Sequence, residues 1–126
     1  MKRKPALQAL SREHHTALVL ANACVRAVQT GDGAMVSLAC QRAALALANE
    51  LEPHFRIEEQ TLLPLLTSPD EQALLQRTVR EHEQLRGLLL GLQQNDAEAL
   101  NSFGKCLTAH VRFEERELFP VLEALI

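Results

Sequence analysis

The residues of this chain best suited to chemistry fall in a pattern written twice. His54-Phe55-Arg56-Ile57-Glu58-Glu59-Gln60-Thr61-Leu62-Leu63-Pro64 and His110-Val111-Arg112-Phe113-Glu114-Glu115-Arg116-Glu117-Leu118-Phe119-Pro120 both read H-x-R-x-E-E-x-x-L-x-P. In a helix, residues four apart differ by about 40° around the axis, so His54 and Glu58 share a face, as do His110 and Glu114. Each pair interrupts an otherwise apolar stripe. A shorter pattern is also doubled: Arg12-Glu13-His14-His15 and Arg80-Glu81-His82-Glu83. A lone core histidine is more often hydrogen-bonded than metal-bound. Here the set decides: each buried carboxylate left uncompensated would cost about several kcal/mol. No Lys or Arg sits on the inner stripes to pair with them. A bound cation answers that charge problem, and neutral imidazoles are suitable ligands for it.

Four helices must position these groups. β-branched residues are scarce and Ala, Leu, Glu, Gln and Arg dominate, so helix propensity is high almost throughout. Breakers cluster at Gly31-Asp32-Gly33, at Ser68-Pro69-Asp70-Glu71 and at Gln94-Asn95-Asp96. The middle cluster reads as a capping box with proline at the first helical position. These breaks predict helices over 6–30, 34–66, 69–94 and 97–125, with Pro5 or Ser11 as alternative starts of the first. The short connections make sequential neighbours antiparallel, giving an all-α, antiparallel up-down four-helix bundle. Pro53 lies inside the second helix and predicts a local kink just before His54.

Antiparallel helices face each other at positions equidistant from their loop. His14 then lies within about one turn of the height of His54, and His82 faces the neighbourhood of His110. Packing the two hairpins together brings four imidazoles and two carboxylates to the middle of the bundle. Glu59 and Glu115 lie about 140° from their histidines and are expected to reach solvent. His15 sits about 100° off the inner stripe, at its edge, and is kept with Glu115 as a further candidate ligand. Glu13, Glu81 and Glu83 are read as solvated helix positions, with a role behind the histidines as the sharper alternative. Phe55, Phe113 and Phe119 are expected to wall the site.

The composition fits one soluble, cytoplasmic domain spanning 1–126, with residues 1–5 expected to be a flexible tail. A net charge of −3 over 126 residues argues against a nucleic-acid partner. No apolar run approaches the ~20 residues of a membrane span. The three cysteines, Cys24, Cys40 and Cys106, show no CxxC pairing, which argues against a disulfide framework or a zinc ribbon. Cys24 and Cys40 stand nearly equidistant from the first loop; small buried residues are the favoured reading over a redox pair.

Nitrogen and carboxylate donors without thiolate favour iron, manganese or zinc. Six side chains exceed the four of a structural zinc and suit two ions bridged by the two carboxylates. The order of these four motifs, E-H, H-x-x-x-E-E-x-x-L-x-P, E-H, H-x-x-x-E-E-x-x-L-F-P, resembles the hemerythrin-like, or HHE cation-binding, domain over almost the whole chain. The resemblance implies a non-haem di-iron centre. His14, His54, His82 and His110 would be terminal ligands, and Glu58 and Glu114 the bridging carboxylates. Two departures turn it away from the oxygen carriers. Thr78 stands one turn before His82, where oxygen carriers have another histidine. The last carboxylate follows His110 by four residues (Glu114) rather than five (Glu115).

Two six-coordinate ions offer roughly twelve positions, of which these side chains and an oxygen bridge fill about ten. The site is therefore expected to keep room for a small diatomic ligand or oxidant. A sensor of O2, NO or redox state, a store or a scavenger is the leading expectation. An enzyme acting on peroxide, nitric oxide or damaged iron–sulfur clusters is the second, and a metal-stabilised interaction module the third. Either a monomer or a homodimer is compatible with the sequence.

Overall fold

The computed structural model describes residues 3–126, and Met1 and Lys2, the first two residues of the expected tail, lie outside it. Four helical rods form the bundle, as the breakers predict. The first is Pro5–Gln29. Pro5 opens it at a position where a missing N–H costs nothing, so Ser11 is an interior residue rather than a cap. The rod ends at Thr30 and Gly31, whose φ of +67° turns the chain. Asp32 then caps the second rod by accepting from the N–H groups of Ala34 and Met35 at 2.9 and 3.2 Å.

The second rod, residues 33–65, is not uniform. Its α-helical segments Gly33–Ala46 and Glu52–Ile57 alternate with wider π-type turns at Leu47–Leu51 and Glu58–Leu62, and it closes in a 3₁₀ turn, Leu63–Leu65. The fourth rod repeats the device, as Ala97–Phe113, a π-type turn at Glu114–Leu118, then Phe119–Leu125. The N–H groups of Glu52, Leu63 and Phe119 reach back five residues to the carbonyls of Leu47, Glu58 and Glu114. In each case the next residue is a proline: Pro53, Pro64 or Pro120. Proline has no N–H for the carbonyl four residues back, and its ring crowds that carbonyl. The widened turn relieves both problems, so the kink expected at Pro53 takes this form. Two of the three wide turns begin at Glu58 and Glu114 themselves.

The third rod begins at Pro69 under a complete capping box from Ser68 and Glu71. It is shorter than the expected 69–94. Pro69–Arg86 ends at Gly87, and a turn through Leu88 leads into a separate segment, Leu89–Gln93. Gly87 has the weakest helix propensity after proline, and Leu88 closes onto the Leu85 carbonyl three residues back.

The first and fourth rods pack closely because Gly104 has no side chain. A Cβ there would come within 2.8 Å of the Ala21 carbonyl oxygen. Two apolar clusters fill the bundle. One includes Ala21, Cys24, Cys40, Leu85, Leu100 and Phe103; the other includes Leu7, Leu10, Leu63, Phe119 and Leu122. A polar layer lies between them. Cys24 and Cys40 are buried free thiols, and burial pushes Cys24 up to about 11, so it stays a protonated core residue. Arg3 and Lys4 are tied to the last rod: Arg3 Nη2 donates to the Glu115 carbonyl at 2.7 Å, and the Lys4 N–H to Glu123 at 2.8 Å. The tail expected over residues 1–5 therefore does not extend to these two. Among the described residues no helix is long and apolar enough to cross a membrane.

Candidate metal centre

The polar layer consists of His14, His54, Glu58, His82, His110, Glu114 and Thr78, all buried. Each rod supplies one histidine, and the second and fourth add one carboxylate apiece. The ligand-type atoms fall into two groups that share both carboxylates. One is His14, His54, Glu58 and Glu114; the other is Glu58, His82, His110 and Glu114. Within each group, these atoms lie within 4.8 Å of one another.

The two carboxylates split their oxygens between the groups. Glu58 places Oε2 3.1 Å from His54 Nε2 and Oε1 3.0 Å from His82 Nε2. Glu114 places Oε1 2.8 Å from His14 Nε2 and Oε2 3.1 Å from His110 Nε2. All four imidazoles turn Nε2 inward.

Their outward nitrogens meet four other carboxylates. His14 Nδ1 lies 2.6 Å from Glu115, His54 Nδ1 2.7 Å from Glu13, His82 Nδ1 2.7 Å from Glu59 and His110 Nδ1 2.7 Å from Glu81. An Nδ1–H donated outward leaves the Nε2 lone pair facing the centre, the arrangement found behind metal-bound histidines. The partners run in a ring: the first rod backs the second, the second the third, the third the fourth and the fourth the first. This corrects the expectation that Glu59 and Glu115 reach solvent. Their angle excludes them from the centre of their own helix, but it aims them at the histidine of the next one. Glu81 likewise serves a histidine rather than standing as a solvated position, and Glu13 backs His54 while remaining exposed; Glu83 is exposed and pairs with Arg86 at 2.7 Å. His15 is exposed and belongs to neither group. Thr78 is buried but spends its hydroxyl on the Leu74 carbonyl at 2.8 Å, so it brings no donor to the centre.

Three of the four outer carboxylates are themselves held. Arg86 donates to Glu59 at 2.9 and 3.0 Å and to Glu52 at 2.7 to 3.0 Å. Arg77 donates to Glu81 at 2.9 Å and lies 4.0 Å over the Phe113 ring. Ser11 donates to Glu115 at 2.8 Å, and Arg3 approaches the same carboxylate at 3.5 Å. The aromatic walls are in place: Phe55 stacks on His82 with centroids 4.1 Å apart, and Phe119 on His14 at 5.1 Å.

With protons as the only cations, the layer charges its histidines. Burial opposes this, yet Glu114 and Glu58 overcome it and hold His54 up at about 11 and His82 at about 9. His110 is held at about 10 against burial, chiefly by Glu114, and His14 is raised in the same way. Burial penalises the charged Glu114, but the surrounding histidines still keep it well below the usual carboxylate range. Glu58 is raised, by burial and then by the neighbouring Glu114 charge. Even so, Glu58 Oε1, His82 Nε2, His110 Nε2 and Glu114 Oε2 are buried without an aligned hydrogen-bond partner. Such orphaned atoms are costly. Nitrogen and oxygen donors converging on two points fit cations there.

Fold and layer together define a class: a four-helix bundle with a core able to hold metal. The hemerythrin HHE cation binding domain matches residues 6–123, and the chain belongs to that family. No curated protein and no solved structure gives a match.

Proposed function

We propose that the layer holds two non-haem iron ions bridged by Glu58 and Glu114, and that the pair serves to bind a small diatomic ligand or oxidant, in sensing, storage or scavenging. The observation that carries this reading is the division of each inner carboxylate between the two histidine pairs. A single tetrahedral site would use four donors and leave the others orphaned. Manganese or zinc suits the same donors, and iron adds redox chemistry and an open coordination position.

The chain's own residues perform the remaining tasks. The outer carboxylates hold each Nδ1 proton and so orient each ring. Phe55, Phe119 and the two apolar clusters exclude water from the layer. With His15 outside it, each group offers two histidines and two carboxylate oxygens, fewer than six donors, which favours a site open to an added ligand. Anaerobic loading with iron(II), followed by absorption spectra under nitrogen and then air, tests the reading. A new near-ultraviolet or visible band on exposure to air is expected. A protein that stays colourless and metal-free after loading contradicts it, and sustained turnover of peroxide or nitric oxide would make the protein an enzyme instead.

A further inference from the structure

The ring of outer carboxylates has one weak member. Glu59, Glu81 and Glu115 are each tied to an arginine, whereas among the described residues Glu13 pairs with no lysine or arginine, and its side chain is 54% exposed. Glu13 is the only partner of His54 Nδ1 in the hydrogen bonds described. The same two residues line a groove of about 550 Å³ between the first and second rods. Thr16, Ala17 and Leu20 form one bank and Glu50, Pro53 and Ile57 the other. Arg42 also lines it, but eight residues before Glu50, about 12 Å away along the second rod. The end at the metal layer is therefore acidic, with Glu13 and Glu50.

His54 is also the ligand with the most backbone slack. It directly follows Pro53, which donates no hydrogen bond, and the π-type turn Leu47–Leu51 lies just before. The other histidines sit within unbroken α-helical segments.

We infer that the groove between the first two rods is the port through which metal cations enter and leave the layer, with Glu13 as the outer carboxylate that first meets the ion and His54 as the ligand that swings aside. This rests on the metal-centre reading above. An ion arriving along the groove exchanges water for the Glu13 carboxylate. Rotation of the His54 ring then opens the His14–His54 side of the layer, while the three clamped histidines stay in place.

A port changes the rates of uptake and release together and leaves the equilibrium alone. Thr16 is exposed, lines the groove one turn beyond Glu13 and touches no ligand, so Thr16→Phe plugs it. Ala109→Phe puts the same bulk on the exposed surface beside His110 and serves as control. Iron(II) uptake and its removal by bipyridine are followed by stopped flow under nitrogen. The expected result for Thr16→Phe is a fall of about fivefold or more in both rates with the dissociation constant unchanged, and no change in the control. Unchanged rates, or equal slowing in the control, overturn the port. Failure of the parent protein to take up iron overturns the metal centre itself, a distinct outcome.

Discussion

Arg86→Met is the substitution whose cost the structure prescribes most fully. The guanidinium joins the second and third rods, with two bonds to Glu59, three to Glu52 and one to Glu83. Arg86, Glu52 and Glu59 are each about a quarter exposed, and Glu83 is 64% exposed. The Glu83 pair therefore adds little. The other two lie between a surface pair, worth about 0–1 kcal/mol, and a fully buried one, where removing a partner costs about 3–5 kcal/mol. A loss of about 2 kcal/mol follows. Methionine keeps the apolar stem beside Phe55 and isolates the charge. At about 2.1 cal/mol/K per residue, 126 residues unfold with an entropy near 0.26 kcal/mol/K, so the melting temperature should fall by about 8 °C. The damage should also reach the layer, because Glu59 orients His82. Losing such an orienting partner costs about 10–100-fold in metal affinity, and a loosened one should cost about tenfold. Calorimetry of the metal-free protein and iron(II) titration read the two effects. Arg86→Lys should recover only part, since an ammonium cannot span both carboxylates. A shift under about 2 °C with unchanged affinity would refute the clamp.

Three further outcomes are expected. Gly104→Ala drives a methyl against the Ala21 carbonyl and Val25, each 2.8 Å from where a Cβ would stand, and should destabilise by about 1–3 kcal/mol in a melting experiment. His15→Ala should leave metal content and absorption unchanged, because His15 is exposed and outside both groups. Stability of the metal-free protein should peak between about pH 4.5 and 6.5, checked by urea midpoints. His54, His82 and His110 rise from 6.5 to about 11, 9 and 10, so their contribution is complete below 6.5 and drains away as pH climbs toward those values. The raised Glu58 acts in the same direction. Glu52, Glu59, Glu81 and Glu115 are lowered from 4.5, chiefly by Arg86 for Glu52 and by their histidine and arginine partners against burial for the others; their contribution is lost as pH falls below that value.

The inner layer was legible because helical angle is local: His54 with Glu58, and His110 with Glu114, follow from a spacing of four. The antiparallel register then brought His14 and His82 to the same height. The outer ring was not legible by the same rule, because its pairs cross between rods. Glu59 is read correctly as lying off its own stripe, but its destination depends on where the third rod sits. A signal was nevertheless present: His14, His82, Glu58 and Glu114, one on each rod, have an adjacent glutamate in sequence, at Glu13, Glu81, Glu59 and Glu115. The wide turns were half legible. Proline marks all three, yet Pro64 and Pro120 passed as part of a repeated motif, since their effect falls on the preceding residues. The turn at Gly87 was hidden because Leu85, Leu89 and Leu92 continue the helical apolar stripe across it.

In the proposed centre one layer holds two ions bridged by Glu58 and Glu114. Anomalous scattering at the iron edge from crystals of the loaded protein tests it most directly. Two peaks about 3.5–4 Å apart are expected, one against His14 and His54, the other against His82 and His110, with both carboxylates touching both peaks. A single peak, or peaks only at surface carboxylates, would contradict it.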